Sequence, residues 1–171
     1  MTETETIARV DPPYAAGERA MLTSWLGYHR ATLALKCEGL TAAQLRIRAV
    51  EPSALSLLGL VRHMAEVERA WFRRVLAAEA APPLYYSDTA PDGEFDEVDT
   101  ADAEEAFATW RAECAHADRL VEAAESLEVT GLRHGEPVTL RWILVHMIEE
   151  YARHNGHADL LRERIDGRVG E

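Results

Sequence analysis

Four long segments of this chain carry apolar residues at helical spacing, and no other feature constrains the fold as strongly. In one of them the apolar residues recur every three or four positions, as one face of a helix requires: Leu57, Leu60, Met64, Val67, Trp71 and Val75. We therefore predict helices over residues 17–38, 53–80, 100–127 and 139–165, and no strand. Gly39 and Gly167 are placed to end the first and the last of these helices.

The second and third predicted helices are joined by an acidic segment, residues 82–98, that contains proline and glycine. We predict an exposed crossover loop here, with four residues that could pack over the core: Leu84, Tyr85, Tyr86 and Phe95. Between the first two helices, Thr41-Ala-Ala-Gln44 resembles a capping box and predicts a short turn. Four such helices with one long connection are typical of an all-α four-helix bundle. We predict a single domain over residues 1–171, with residues 1–15 as an extended or poorly ordered tail.

Charge and composition argue against two classes of partner. The net charge of −12 leaves no basic face for nucleic-acid phosphates, and no apolar run approaches the roughly 18 residues of a membrane span. The N-terminal residues lack the basic and then apolar order of a signal peptide, so we expect a cytoplasmic location. Cys37 and Cys114 are isolated and form no CxxC, which predicts two reduced, buried thiols.

The last predicted helix carries His146, Glu150 and His154 at intervals of four residues. At about 100° per residue, Glu150 and His154 lie on the apolar face, Glu149 points to solvent, and His146 and His157 lie at the margins of that face. Buried ionisable groups without a partner are costly. A metal ion is the commonest partner that also does chemistry, so this face is a candidate metal site.

The second predicted helix offers a further ligand, His63, at the edge of its apolar stripe. Side chains on facing helices of a bundle converge on the core, and two imidazoles with one carboxylate can hold catalytic zinc or non-haem iron. The alternative is internal hydrogen bonding, with Glu150 paired to Arg153 or to an arginine of another helix. We interpret His29 and His116 as such hydrogen-bonded residues.

Two segments carry a resemblance to a known superfamily. Residues 39–46 and 56–72, the latter containing Arg62-His63-Met64, resemble the helix-two region of the DinB/YfiT-like superfamily, and residues 146–157 resemble its helix-four motif. The match covers nearly the whole chain in helix order and length. Members of that superfamily are metal-binding four-helix bundles, often dimers, with one histidine ligand on helix two and two, four residues apart, on helix four. The resemblance implies a homodimer and the ligand positions His63, 150 and His154.

The chain departs from the superfamily pattern at two places. Glu150 stands where histidine is usual, and Asn155-Gly156-His157 replaces the Arg-Gly-Gln that commonly follows the last ligand. Glutamate can coordinate zinc or iron, so one outcome is a retained site with Glu150 as third ligand. In that case His146 and His157 support the ligands or substitute for one. The other outcome is a site that has lost its metal.

The resemblance also implies a chemistry, because several superfamily members are transferases or isomerases that use mycothiol, bacillithiol or glutathione. Lys36 is the only lysine beside 17 arginines, and this bias is typical of an actinobacterial-type source, for which mycothiol is the expected thiol. The resemblance implies a divalent metal, zinc before nickel or iron. The metal would activate the thiol for attack on an electrophilic small molecule, so neither cysteine of the chain is needed.

Two alternatives stay open. One is the isomerisation of a small unsaturated diacid, such as maleylpyruvate, by reversible thiol addition at the same site. Its anionic substrate should require arginine near the metal, but Arg62 and Arg153 point about 100° away from the neighbouring ligands. The other is a metal-poor bundle that binds a ligand or a partner, with the acidic segment 82–98 as its contact surface.

Overall fold

The computed structural model, which describes residues 8–170, is mostly helical. Among these residues the chain forms six α-helices, one π-helical segment and a two-stranded sheet. The α-helices are α1 (Glu18–Cys37), α2 (Ala42–Leu45), α3 (Leu57–Glu68), α4 (Gly93–Asp96), α5 (Ala103–Ala123) and α6 (Leu140–Asp166). The π-helical segment, Arg69–Leu76, continues α3, and the strands are β1 (Thr130–Arg133) and β2 (Glu136–Thr139). The helical content agrees with the all-α prediction.

Three of the four long predicted helices, α1, α5 and α6, lie within their predicted ranges to within a few residues. The second begins later than predicted, at Leu57, because the Ser56 hydroxyl accepts a hydrogen bond from the Gly59 amide and caps the helix there. It also ends earlier, at Leu76, and Ala78 beyond it has a positive φ of 53° that no helix continues through. Gly167 ends α6 in the left-handed conformation, as predicted.

The prediction of no strand was wrong. β1 and β2 pair antiparallel, with Thr130 opposite Thr139 and Arg133 opposite Glu136. His134 and Gly135 between them have φ of 51° and 84°, the positive values that a tight two-residue hairpin turn needs. The strands are short and lack an alternation of apolar and polar residues, so the hairpin left little trace in the sequence.

Helix packing places α3 among most of the other helices of the described residues, since it contacts α1, α4, α5 and α6. α6 packs against α1 and α3, and α3 also packs against α5. The buried apolar side chains form one cluster, whose largest fully buried members include Leu33, Met64, Phe72, Ile143 and Met147. No helix of residues 8–170 is both long and apolar enough to cross a membrane.

The remaining fold predictions have mixed outcomes. The Thr41 and Gln44 capping box is present, and it starts α2. The predicted tail lies partly outside the described residues, and residues 8–15 form no helix or strand. The four-helix bundle, the single domain, the homodimer and the cytoplasmic location stay predictions.

The crossover, residues 82–98, is held against α3 and is therefore more than an exposed loop. The buried carboxylate of Glu66 accepts hydrogen bonds from the amides of Leu84 and Tyr85 at 2.5 and 2.6 Å. Arg62 donates to the Gly93 carbonyl at 3.2 Å, and its guanidinium lies 4.3 Å from the centre of the Tyr85 ring. Leu84, Tyr85 and Phe95 pack against the core, as their apolar character suggested, whereas Tyr86 is 36% exposed.

A buried polar network, which we call the closed cluster, lies between α1, α3, α5 and α6: Arg30, Glu68, Trp110, Cys114 and Tyr151. Glu68 accepts hydrogen bonds from both Nε and Nη2 of Arg30 at 2.7 Å, and the Tyr151 hydroxyl donates a third to it at 2.7 Å. Trp110 donates its indole N–H to Tyr151 at 2.8 Å, and the Cys114 sulfur lies 3.5 Å from Glu68. A buried Cys114 was predicted from the sequence, but the ion pair of Arg30 with Glu68 was not.

Both cysteines are free, as predicted. Cys37 is buried at the end of α1, and Cys114 is partly buried in the closed cluster. Burial raises the pKa of Cys37 to about 12. Burial, followed by the neighbouring carboxylate of Glu68, raises the pKa of Cys114 well above its ordinary value. Both groups are therefore thiols, not thiolates, at neutral pH.

Candidate metal centre

α3 and α6 bring His63, Glu150 and His154 together. One candidate ligand atom from each residue lies within 4.8 Å of the other two. Nε2 of His154 is 3.4 Å from Oε2 of Glu150, and the rings of His63 and His154 are 4.7 Å apart between centroids. The N-terminal caps fix these positions, because Ser56 sets the start of α3 and Thr139 that of α6.

Glu150 points inward and its neighbour points outward, as the helical geometry predicts. The Glu150 side chain is 22% exposed and that of Glu149 is 53% exposed. A hydrogen bond from His154 lowers the pKa of Glu150, and the charges of His146 and His63 act in the same direction, while burial opposes them. Glu150 is therefore ionised at neutral pH.

The predicted alternative, an arginine paired with Glu150, is not what the described residues show. Arg153 lies 4.0 Å from Glu149 and is largely exposed. Arg62 is buried beneath the crossover, where it contacts Gly93 and Tyr85. The partners of the Glu150 carboxylate are imidazoles, and its charge is not matched by a permanent cation.

His146 lies beside the other oxygen of Glu150, at 3.5 Å from Nε2 to Oε1. Its ring stacks on Trp142, with centroids 4.9 Å apart, and meets the edge of Trp71 at 4.7 Å. Its Nδ1 is 3.5 Å from the exposed carboxylate of Glu149. His146, Glu149 and Glu150 are also close enough to form a second candidate metal group, so His146 stays available as a supporting or a substitute ligand.

His157 lies behind His154, away from Glu150. Its Nδ1 is 3.3 Å from Nδ1 of His154. Burial lowers the pKa of His157, and the charges of His154 and Arg153 lower it further, so His157 is neutral at neutral pH. A neutral His157 can accept the Nδ1 proton of His154 once a metal replaces the Nε2 proton that His154 directs at Glu150.

Glu94 contacts the candidate ligand His63 and was not predicted from the sequence. It lies on α4, in the crossover, and its Oε1 is 3.3 Å from Nδ1 of His63. Its Oε2 is buried without a hydrogen-bond partner among the described residues. Burial raises the pKa of Glu94, but the hydrogen bond and charge of His63, with the charge of Arg62, lower it on balance. Nothing in the acidic crossover sequence distinguishes Glu94 from its exposed neighbours.

The two histidines interpreted as hydrogen-bonded residues have the partners that this interpretation requires. The buried Asn155 amide lies 3.4 Å from Nδ1 of His29 and donates to the His29 carbonyl at 3.0 Å, which ties α6 to α1. His116 is partly buried, and its Nε2 is 2.8 Å from Glu79. Asn155 therefore has a structural contact at the position where the superfamily motif differs.

A protein-family model matches most of the chain. The model of the family described as mycothiol-S-transferase matches residues 21–167. The matched range contains His63, Glu94, Glu150 and His154, together with all the long helices except the first turn of α1. No curated protein matches the chain.

Proposed function

Because the chain belongs to the mycothiol-S-transferase family, we propose that it transfers a mycothiol-type thiol to an electrophilic small molecule at a divalent metal held by His63, Glu150 and His154. One observation carries the metal part of the proposal: donors from two helices converge to within 4.8 Å of one another. We further propose that the four long helical segments form the four-helix bundle of the DinB/YfiT-like superfamily, with the site between α3 and α6.

One pair of the three donors is spaced as zinc ligands are, which supports zinc as the metal. Two ligand atoms at the usual zinc distances of about 2.0–2.1 Å in a tetrahedron are about 3.3 Å apart. The separation between Glu150 and His154 is 3.4 Å. Three protein ligands also leave a fourth position for a substrate, as catalytic zinc sites do. Two imidazoles with one carboxylate can hold iron as well, so metal analysis has to identify the ion.

A divalent metal bound here would act as a Lewis acid that lowers the pKa of a coordinating thiol and makes a thiolate nucleophile available at neutral pH. The residues of the chain would hold the metal and orient its ligands. His157 accepts from His154, and Glu150 contributes one negative charge to the site. That charge leaves less net positive charge than three histidines would, so we expect weaker thiol activation than at a site with three histidines.

The cosubstrate thiol has to come from outside the chain. Both cysteines have raised pKa values, and Cys114 is held in the closed cluster by Glu68 and Tyr151. The maleylpyruvate-type isomerisation is not favoured, because Arg62 is held under the crossover at Gly93 and the largely exposed Arg153 lies beside Glu149, outside the candidate ligand group. S-transfer is the activity that the family and the site support together.

Metal analysis of untagged protein tests the metal part of the proposal. We expect close to one divalent ion per chain after growth in metal-supplemented medium. Replacing a ligand imidazole, in His63→Ala or His154→Ala, should remove it. His116→Ala is the control, since His116 contacts Glu79 away from the site. A wild-type stoichiometry near zero would mean a metal-poor bundle that binds a ligand or a partner.

Two adjacent glutamates provide a matched pair for the third ligand. Glu150→Ala should weaken metal binding, whereas Glu149→Ala, at an exposed position one residue away, should leave it nearly unchanged. The reverse result would assign the metal to the group of His146 and Glu149 instead.

A thiol panel tests the transferase part. The metal-loaded protein should accelerate the reaction of mycothiol with a model alkylating electrophile more than that of glutathione or cysteine, and chelation should remove the difference. Equal rates with and without protein for every thiol would contradict the transferase proposal while leaving the metal result intact.

A further inference from the structure

We propose that Glu94 is a positioning residue: it fixes the tautomer and the ring orientation of His63 so that Nε2 of His63 faces the site. The inference rests on the proposed function in one respect, the role of His63 as a ligand. It goes beyond that function because it makes the crossover a working part of the site.

The tautomer follows from the chemistry of the contact. An ionised carboxylate can only accept hydrogen bonds, and Oε1 of Glu94 lies 3.3 Å from Nδ1 of His63. The proton of a neutral His63 must therefore be on Nδ1, and the lone pair is on Nε2. A metal ligand needs that free lone pair, and carboxylates that hold the other ring nitrogen of a ligating histidine raise its basicity.

The ring of His63 is held on three sides. Phe95, the residue after Glu94, lies against it at 5.2 Å between centroids, and His154 lies at 4.7 Å on another side. Glu94 holds the edge that carries Nδ1. Two of these three contacts come from α4 and one from α6, so the crossover takes part in orienting His63.

The helix that carries His63 also places Glu94. Arg62 and Glu66, on the same stretch of α3, bind the crossover at Gly93 and at the amides of Leu84 and Tyr85. A buried carboxylate is costly, and the Glu94 side chain is only 10% exposed with Oε2 unpartnered among the described residues. A solvated acidic loop would have no reason to bury this one carboxylate against a histidine.

Glu94 acts through His63 and not as a ligand. In the described part of the chain, two groups of atoms are close enough to share one metal, the first of His63, Glu150 and His154 and the second of His146, Glu149 and Glu150. Glu94 belongs to neither. Its removal should therefore weaken the site without abolishing it.

The tautomer of His63 can be measured without any metal. Long-range proton–nitrogen spectra of metal-free protein with nitrogen-15-labelled histidine, recorded above the imidazole titration range, separate the Nδ1–H form from the Nε2–H form, and His63→Gln assigns the signal. We expect the Nδ1–H form in the wild type and a shift toward Nε2–H in Glu94→Ala. A wild-type His63 with its proton on Nε2 would overturn the proposal, whatever the metal content.

Metal affinity, measured by chelator competition, supplies the second readout. Removing a carboxylate that supports a ligating histidine typically costs about 10- to 100-fold in affinity, and we expect a loss of this size in Glu94→Ala. Glu94→Gln keeps an oxygen acceptor for Nδ1–H and should recover part of the loss. The matched control is Glu97→Gln, the same substitution at an exposed glutamate of the crossover. We expect it to change the metal affinity by less than about twofold.

The outcomes separate the two proposals. If His154→Ala loses the metal but Glu94→Ala binds it like the wild type, the positioning role is wrong and the proposed function stands. If the wild type binds no metal but His63 is protonated on Nδ1 only while Glu94 is present, the proposed function is wrong and the control of His63 by Glu94 stands. If Glu94→Gln and Glu94→Ala lose affinity equally with unchanged tautomers, Glu94 supports the fold alone and the proposal is wrong.

Discussion

Glu150 and Tyr151 are neighbours on α6, but their side chains join two polar clusters of opposite character. Tyr151 belongs to the closed cluster, in which the Glu68 carboxylate is fully buried and is matched by Arg30. Glu150 belongs to what we call the open cluster: His63, Glu94, Glu150 and His154, with His146 and His157 beside them. The Glu150 side chain is 22% exposed, and among the described residues its ion-pair partners are the imidazoles of His146 and His154.

The difference lies in how completely the buried charges are satisfied. In the closed cluster, Glu68 accepts four hydrogen bonds, from Arg30 twice, Tyr151 and Cys114, and a third Arg30 donor reaches Asp118 at 2.6 Å. In the open cluster, Glu94 keeps one oxygen unpartnered among the described residues. A saturated network rigidifies a core, whereas convergent unsaturated donors have capacity left for a ligand. We infer that the closed cluster serves stability and the open cluster serves function.

The largest expected effect is the loss of stability in Glu68→Ala. It would leave the buried guanidinium of Arg30 without its main counter-charge, and breaking a buried pair in this way costs about 3–5 kcal/mol. Burial alone would lower the pKa of Arg30, but Glu68 keeps it well above its ordinary value, so Arg30 stays charged. Urea denaturation measures the loss, with the exposed Glu122→Ala as control. Equal stability of Glu68→Ala and wild type would contradict the structural role of the closed cluster.

An intermediate effect comes from changing the two neighbours separately. Tyr151→Phe removes the acceptor of the Trp110 indole and one donor to Glu68, which should cost about 1–3 kcal/mol of stability and leave the metal content unchanged. Glu150→Gln should lose metal affinity while changing stability by less than about 0.5 kcal/mol in metal-free protein. Urea denaturation and metal analysis on both variants check the contrast. If each variant changed both properties, the two clusters would be one coupled unit.

A smaller effect is expected in Gly93→Ala, which touches no ligand. A Cβ at Gly93 would lie 2.3 Å from the Tyr85 carbonyl oxygen, so we expect α4, and Glu94 with it, to shift relative to His63. We expect metal affinity to fall by about tenfold, equivalent to about 1.4 kcal/mol, as measured by chelator competition. Gly27→Ala, with no atom within 4 Å of the added Cβ, is the control. Unchanged affinity in Gly93→Ala would show that the open cluster does not depend on the crossover.

The same contrast explains how much the sequence could predict. Glu150, His154 and His63 were predicted because helical periodicity fixes the direction of each side chain once the helix is recognised. The periodicity also separated Glu150 from Glu149. These candidate ligands were therefore accessible from helical spacing together with the superfamily resemblance.

Glu94 and the pair of Arg30 with Glu68 were not accessible in this way. Glu94 lies on a four-residue helix with no periodic pattern, and its burial depends on where α3 holds the crossover. Arg30 and Glu68 are charged residues 38 positions apart, on two different helices. Only their contact in the core distinguishes them from exposed charged residues. The hairpin was missed for a related reason. It packs where the backbone of Gly131 lies close to that of Val75, a tertiary contact that local sequence patterns do not show.

The smallest expected effect concerns the two thiols. Because a raised pKa moves the thiolate form to higher pH, Cys37, with a pKa of about 12, and Cys114 should both resist alkylation in the native protein at neutral pH. Mass spectrometry after iodoacetamide treatment should find no label in the native protein and two labels in denaturant. Alkylation of the native protein should increase only as the pH rises toward about 12, where Cys37 ionises.

The consequence for function is that native protein treated with iodoacetamide at neutral pH and a Cys37→Ala, Cys114→Ala variant should both keep their metal content and S-transfer activity. Rapid labelling of Cys114 at neutral pH with loss of activity would instead place a nucleophile in the closed cluster. It would contradict the inference that this cluster serves stability alone. The closed cluster keeps its thiol protonated beside a buried carboxylate, whereas the open cluster presents ionised carboxylates and imidazole lone pairs. Under the proposed function, a thiolate formed at neutral pH comes from a cosubstrate that binds at the open cluster.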